Sequence, residues 1–522
     1  MYDVKKSIDV ELNVQLVYIA LIHEYAYEGP CRFGPPEALT QEFDLMNQAE
    51  IFKMWTQGYG GALSHIPGIH LLDPLYIKMS DEFFITEEEE QKLVDRVGKA
   101  DIFIFTGMRG EGIMKEFAMR YHVPVAGEGM FVSTAGSDYG RMSASAAKHL
   151  RALVYLTRGY ESYAILDLPD ATRLLKALRA RKALQRTKVL AVTRNNSHYS
   201  MGGQDAFISN DMVTKKLGAR FNYFSFHEFL DMMHVNEHGK NHTLPGRQVY
   251  NLTDKDMEEV KAWSKELADG SVENDVQEHY IENSVKAAVL IQKLCEHFGC
   301  NAFTAVCPDG CATRRMNEEQ FTFCFSHSLL NEMGIPSGCE YDLLGTLSIV
   351  ALANLTGKAP YMGNTQPCIW RDKQVEGEFA GIGYIEDMDR TQNIYYSGHA
   401  TPNRLIHGFD SEKTAYSLRP FTHSGWGATM RIDFSQFRGE TITLMRYDPL
   451  CEKIMVAKGT VLGGFGYTTT GCSEGVYFEV ADKYEYFHKQ AKFGLHMPLV
   501  FGDHIEDVKM LGEVLGMEVV TA

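Results

Sequence analysis

The chain has little of what marks several common protein classes. No apolar run approaches the ~18 residues that a membrane-spanning helix needs, so no membrane partner is expected. Basic residues are the minority: 51 Lys and Arg face 68 Asp and Glu, a formal charge of −17. That balance repels phosphate backbones and anionic lipid surfaces, which argues against nucleic acid as a partner. Paired C-x-x-C repeats of zinc-finger spacing are absent, and ten cysteines lie scattered between Cys31 and Cys472. Without a signal-peptide pattern they read as reduced thiols, and the expected location is cytoplasmic. The densest pair, Cys307 and Cys311 in CPDGC, has no histidine at ligand spacing beside it, so a structural metal is not expected there. The glycine loop from Gly107 to Gly112 matches neither the dinucleotide fingerprint nor the P-loop. Internal repeats and low-complexity segments are also lacking.

What is present is the composition of a soluble globular protein: 522 residues, 45% hydrophobic, 23% charged, with 46 glycines spread along the chain. That length suggests about three domains, each large enough to bury a core. Residues 1–167 read as an α/β unit, with strands over Val14–Ile22, Asp101–Thr106 and Val123–Ala126 and a helix over Gly110–Tyr121. A second α/β unit, 168–356, opens with a helix over Pro169–Gln185 and a strand over Lys188–Thr193. It continues with a strand over Phe221–Phe226, helices over Asp254–Leu267 and Asn274–Phe298, a strand over Asn301–Val306 and a helix over Asn317–Met333. Alternating strands and helices predict parallel sheets. From 357 to 522 the helical period gives way to short β runs: Asn393–Tyr396, Ala428–Phe434, Glu440–Tyr447, Lys453–Leu462 and Val476–Val480. The expected fold is therefore α/β plus β: two consecutive parallel-sheet α/β domains, then an antiparallel, barrel-like β domain.

The centre of the chain is Ile335–Asn364. A short strand-like run closes on Cys339-Glu340-Tyr341-Asp342, an apolar small-residue helix covers Leu343–Leu355, and Gly357 stops it. Two carboxylates thus stand where a strand hands over to a helix, on the rim where open α/β sheets bind ligands. A helix cap is the alternative use of such an acid. Asp309, Arg314 and Arg315 follow the preceding strand and fall on the same rim. Histidines in turns, His399, His407, His423 and His496, are either packed residues or ligands.

These residues resemble a known family. Gly338-Cys339-Glu340-Tyr341-Asp342 with its helix, Gly398-His399, His423-Ser424-Gly425, Gly494-Leu495-His496 and Gly502-Asp503 resemble, in order and spacing, the L-fucose isomerase and L-arabinose isomerase superfamily of metal-dependent aldose-ketose isomerases. The resemblance implies a divalent ion, commonly Mn²⁺ with Mg²⁺ or Co²⁺ as substitutes, held by a glutamate, an aspartate and a histidine. By position these fall on Glu340, Asn364 and His496, so the aspartate is replaced by an amide.

Moving a carbonyl between C1 and C2 of a sugar removes a carbon-bound proton and passes through a cis-enediolate, whose charge a divalent ion can stabilise. Asn364 can ligate through oxygen but cannot take up a proton at neutral pH, so Glu340 is the expected base, with Asp342, His399 or His423 as the second group. On a regular strand Asp342 would share a face with Glu340; within the helix it would turn away. Arg32 and Arg109 are candidate partners for an anionic substituent on the substrate. Trp426 and Trp370 are candidates for stacking on a sugar face. The resemblance further implies a homo-oligomer whose first-domain loops complete a neighbour's site. The expected function is isomerisation of a free or 6-modified sugar. The alternatives are a sugar-binding sensor that has lost turnover, or an epimerase or lyase using the same enediolate.

Overall fold

Long runs of branched and aromatic residues, buried from both sides, form strands inside parallel sheets rather than at a wet face. In this computed structural model, which describes residues 2–23, 40–80, 82–107, 110–128, 159–193, 210–235, 250–368, 393–472 and 474–522, such runs build both α/β regions. The chain divides into two compact units, Glu11–Arg179 and Met1–Val10 with Ala180–Ala522. Positions 180–356 and 357–522, expected in separate domains, belong to the same unit.

The Glu11–Arg179 unit holds a six-stranded parallel sheet of β1 (Leu12–Ile22), β2 (Ile69–Leu71), β3 (Leu75–Ser80), β4 (Ile102–Gly107), β5 (Val125–Glu128) and β6 (Ser162–Ile165). Its order is β2-β1-β4-β5-β6, with β3 continuing beside β1 beyond β2. Helices α1 (Gln41–Trp55), α2 (Glu87–Val94) and α3 (Glu111–Tyr121) belong to it. Four glutamates, Glu87 to Glu90, fill the first turn of α2, where negative charge is favourable, and Thr86 Oγ1 accepts from Glu89 N. Arg32, the loop Gly29–Pro36 and the turn at Ala135–Gly136 lie outside the described residues, as does Arg109.

The larger unit begins within α4 (Leu168–Arg186) and contains a four-stranded parallel sheet, β7 (Lys188–Thr193), β8 (Arg220–Ser225), β9 (Ala302–Ala305) and β10 (Ser337–Gly338), in the order β10-β9-β7-β8. Helices α5 (Asp254–Asp269), α6 (Glu278–Phe298), α7 (Cys307–Ala312), α8 (Phe323–Glu332) and α9 (Leu343–Thr356) accompany it. The single helix expected over Asn317–Met333 is broken. Gln320 turns left-handed at φ 54°, a short helix ends at Glu319, and Thr322 Oγ1 starts α8 by accepting from Cys324 N. Local capping chemistry overrides the helical period there.

Helix α9 is buried from Leu343 to Leu355 on every side, which explains its lack of a polar face. Its Leu, Ile and Val side chains contribute roughly 1.5–3 kcal/mol each by leaving water. Asp342 caps it at the start and Gly357, at φ 69°, ends it.

The remainder is a closed, six-stranded antiparallel barrel of β11 (Tyr361–Pro367), β12 (Ile394–Gly398), β15 (Thr441–Tyr447), β16 (Lys453–Phe465), β17 (Gly475–Glu479) and β18 (His496–Phe501), with β13 (Ser417–Pro420) and β14 (Ala428–Arg431) as a separate ribbon. The barrel runs β15-β18-β11-β12-β17-β16 and closes by pairing β16 with β15. Strand β19 (Glu518–Thr521) adds to β16, after α10 (Ile505–Leu515). The strand expected to reach Phe434 stops at Arg431, because Asp433 caps a 3-10 turn over Phe434–Phe437. No described helix is long and apolar enough to cross a membrane.

Candidate metal centre

The C-terminal ends of β9 and β10 lie side by side, Gly338 opposite Thr304. Gly338 has to be glycine: a Cβ there would come within 2.3 Å of Thr346 Oγ1 on α9. Beyond it the backbone does something that neither a strand nor a helix does. Glu340 and Tyr341 are both left-handed, at φ 59° and 61°. For side chains with a Cβ that arrangement costs about 1–3 kcal/mol per residue and persists only where the surroundings hold it. Tyr341 N donates to Ala305 O at 2.9 Å and Asp342 N to Cys339 O at 3.1 Å, which fixes the turn.

The turn sends the two acids in different directions. Asp342 is fully buried: it accepts from Gly345 N at 2.7 Å as the cap of α9, pairs with Arg446 Nη1 and Nη2 at 2.5 and 3.0 Å, and meets His496 Nδ1 at 3.0 Å. Arg446, equally buried, also donates to Phe493 O and His496 O, so one guanidinium fastens both the cap and the start of β18. The structure shows Asp342 as the cap of α9 with His496 as a further partner, and neither regular-strand nor helical geometry describes it.

Glu340 points the other way, toward two imidazoles. His399 Nε2 stands 3.2 Å from its Oε1, and His496 Nε2 stands 3.6 Å from its Oε2. One donor atom from each of the three residues lies within 4.8 Å of the others. Burial disfavours charge on Glu340, but the His399 hydrogen bond and the attraction of His399 and His496 prevail and hold its carboxyl down to about 2. The carboxylate is therefore ionised throughout the neutral range.

His399 is placed just past β12, its N–H donating to Glu474 O at 2.7 Å and to Tyr361 Oη at 2.6 Å. His496 is the first residue of β18. Between those strands runs β11, and Asn364 on β11 is paired directly with His496 on one side and with Gly398 on the other. Directly opposed residues of an antiparallel pair share a sheet face, so Asn364 projects on the same side as His496. Its Oδ1 is buried and, among the described residues, has no hydrogen-bond partner. A buried acceptor together with a carboxylate and two imidazoles is a donor set that fits a divalent transition-metal cation.

The structure thus brings together Glu340, Asn364, His399 and His496, with Asp342 behind His496. His399, expected as a substrate contact, takes a place among the candidate ligands. His423 is exposed and meets Thr470 Oγ1 at 3.2 Å, and Trp426 is buried against Phe421 at a ring separation of 5.5 Å. Trp370 lies outside the described residues. Arg446 had no signal in the sequence beyond its charge within an apolar strand. The chain matches no protein-family model, and no curated protein shows significant sequence similarity to it.

Proposed function

We propose that the chain is a metal-dependent aldose-ketose isomerase acting on a free or 6-modified sugar, of the kind its motifs resemble. The observation that carries this reading is the meeting of Glu340, His399 and His496, 156 positions apart in sequence from first to last (496 − 340), with the unpartnered Asn364 Oδ1 on the same sheet face. Glu340, Asn364, His399 and His496 would hold the ion, which when bound supplies Lewis acidity to adjacent sugar oxygens. Glu340, ionised and in contact with both imidazoles, is the group that accepts the proton from one sugar carbon and returns it to the next. Asn364 contributes an oxygen and no proton chemistry. Asp342, committed to Arg446, His496 and the helix cap, is a positioning residue.

The test is a panel of pentoses, hexoses, 6-deoxyhexoses and 6-modified sugars assayed for reducing-end change with Mn²⁺ present and then chelated. Turnover that needs the ion and is lost in Glu340→Gln with metal retained supports the isomerase; unchanged turnover in that variant ends it. One observation favours a second reading, a sugar sensor without turnover: an amide stands where the resembled family has an acid. That reading predicts metal and sugar binding without interconversion in the wild-type chain and the appearance of activity in Asn364→Asp.

A further inference from the structure

Five of the cysteines that show no metal-binding spacing in the sequence converge next to Glu340. Cys307 and Cys339 follow the ends of adjacent parallel strands, β9 and β10, and their sulfurs are 3.4 Å apart. Cys324, on α8, lies close enough to Cys339 and Cys472 for their charges to interact, the latter in the loop between β16 and β17. Cys311, one turn beyond Cys307 on α7, lies close enough to Cys307 and Cys324 to feel their charge, and its sulfur is 3.9 Å from Met316 Sδ. The row is open at its ends and closed in its middle: Cys311 and Cys472 are exposed, Cys307 is half-buried, and Cys324 and Cys339 are buried. Among the described residues, Glu340, His399 and His496 meet the spacing for one shared ion and no group of these thiols does. A row of pairwise contacts suits thiol–disulfide chemistry better than a closed metal cage.

We infer that Cys307 and Cys339 form a peroxide-oxidisable dithiol that controls the Glu340 site. The accessible Cys307 thiolate attacks hydrogen peroxide; the O–O bond breaks, a sulfenic acid forms on Cys307, and the hydroxide released leaves as water with the thiol proton. Cys339 sulfur then attacks Cys307 sulfur, the S–S bond forms as the S–OH bond breaks, and the departing hydroxide takes the Cys339 proton. Two thiols have lost two electrons, the peroxide has gained them, and two waters result. Cys324, near Cys339 on one side and Cys472 on the other, offers an exchange route by which an external dithiol reverses the bridge.

The bridge reaches the site through one peptide bond. A disulfide requires about 2 Å between sulfurs, so the 3.4 Å gap must close and draw Cys339 toward the chain that follows β9. Cys339 immediately precedes Glu340, whose direction depends on the left-handed turn and on the bond from Tyr341 N to Ala305 O. Oxidation thereby pulls the carboxylate out of register with His399 and His496. The dithiol itself stands on its own geometry; its effect on metal binding rests on the proposed metal centre.

The experiment treats the reduced full-length protein with hydrogen peroxide. It then maps disulfides by non-reducing peptide mass spectrometry and titrates Mn²⁺ before oxidation, after it, and after dithiothreitol. The expected result is a Cys307–Cys339 linked peptide at peroxide levels that leave Cys295 and Cys300 reduced. Mn²⁺ affinity should fall at least tenfold with the bridge and recover on reduction. Cys307→Ser should bind Mn²⁺ as the reduced wild type does and not respond to peroxide, while Cys311→Ser should still respond. Over-oxidation of Cys307 without a bridge, or bridging of other pairs instead, overturns the dithiol. A Cys307–Cys339 bridge that leaves Mn²⁺ affinity unchanged overturns its control of the site. A reduced protein that binds no Mn²⁺ counts against the metal centre and that control, while the peptide map still decides the dithiol. Stoichiometric Zn²⁺ held by the reduced thiols would replace the dithiol with a metal site.

Discussion

Asp342 Oδ2 stands 3.0 Å from Nδ1 of His496, while the opposite ring nitrogen of the same histidine lies 3.6 Å from Glu340. A carboxylate behind the ring favours Nδ1 as the donor, so that the neutral form of the ring turns an Nε2 lone pair to the candidate site, as in many metal-bound histidines. Removing the carboxylate in Asp342→Ala should lower Mn²⁺ affinity about 10–100-fold. It should also destabilise the fold by about 3–5 kcal/mol, because the buried Arg446 loses its counter-charge. Asp342→Asn, which keeps an acceptor for Nδ1, should recover part of the metal affinity and little of the stability. Isothermal titration and urea unfolding read the two effects separately; equal recovery of both would contradict the positioning role.

Asn364 presents a different balance. Its Oδ1 is buried without a partner, a condition that costs about 1–3 kcal/mol in a fold and is retained where the atom has another use. Asn364→Ala should therefore leave the metal-free unfolding midpoint close to that of the wild type while weakening Mn²⁺ binding at least tenfold. A large loss of metal-free stability with unchanged Mn²⁺ affinity would mean that the amide is structural.

The burial of His327 gives the fold a pH dependence. Burial drives its imidazole from the ordinary 6.5 down to about 4, and its Nδ1 lies 2.7 Å from Ser337 Oγ. The neutral ring is the form the core accepts. Its contribution is fully present above pH 6.5 and is lost as pH falls from 6.5 to 4. By linkage this is on the order of 3 kcal/mol. Urea midpoints measured at pH 7 and pH 4.5 should separate strongly for the wild type and much less for His327→Gln; equal separations would remove His327 from the acid limb.

Glu332, at the end of α8, receives Arg404 bidentately, with Nε to Oε1 at 2.9 Å and Nη2 to Oε2 at 2.7 Å, and also accepts from Arg404 N at 2.7 Å. The pair ties the parallel-sheet part of the larger unit to the segment between β12 and β13. Breaking it in Glu332→Ala leaves a buried guanidinium without that carboxylate and should cost about 3–5 kcal/mol in urea unfolding. A midpoint within experimental error of the wild type would refute this.

The parts of the fold that could be read from the chain are those written in local signals. The expected strand Lys188–Thr193 matches β7 to the residue and the expected helix Leu343–Leu355 matches α9 to one residue, because apolar runs and caps mark them. Strands β11 and β18, which carry Asn364 and His496, give no such signal: Gly363 and Pro367 fall in one and Pro498 in the other, residues unfavourable in a strand.

The site was legible in its outer members. Glu340 and His496 stand in motifs, but the roles of His399 and Asp342 depend on two consecutive left-handed residues, and no propensity predicts φ above 50° at a glutamate and a tyrosine. The thiol row was equally hidden. Its members are spread from position 307 to 472, and only the side-by-side ends of β9 and β10 make neighbours of Cys307 and Cys339.

Glu340, Asn364, His399 and His496 are proposed to share one divalent ion. Pulsed electron paramagnetic resonance of the Mn²⁺-loaded protein tests it directly through nitrogen couplings. Two coordinated imidazole nitrogens are expected, reduced to one in His399→Ala and in His496→Ala, with Mn²⁺ affinity falling about tenfold or more in each. Mn²⁺ bound without nitrogen coupling, or bound as tightly after these substitutions as before, would contradict it.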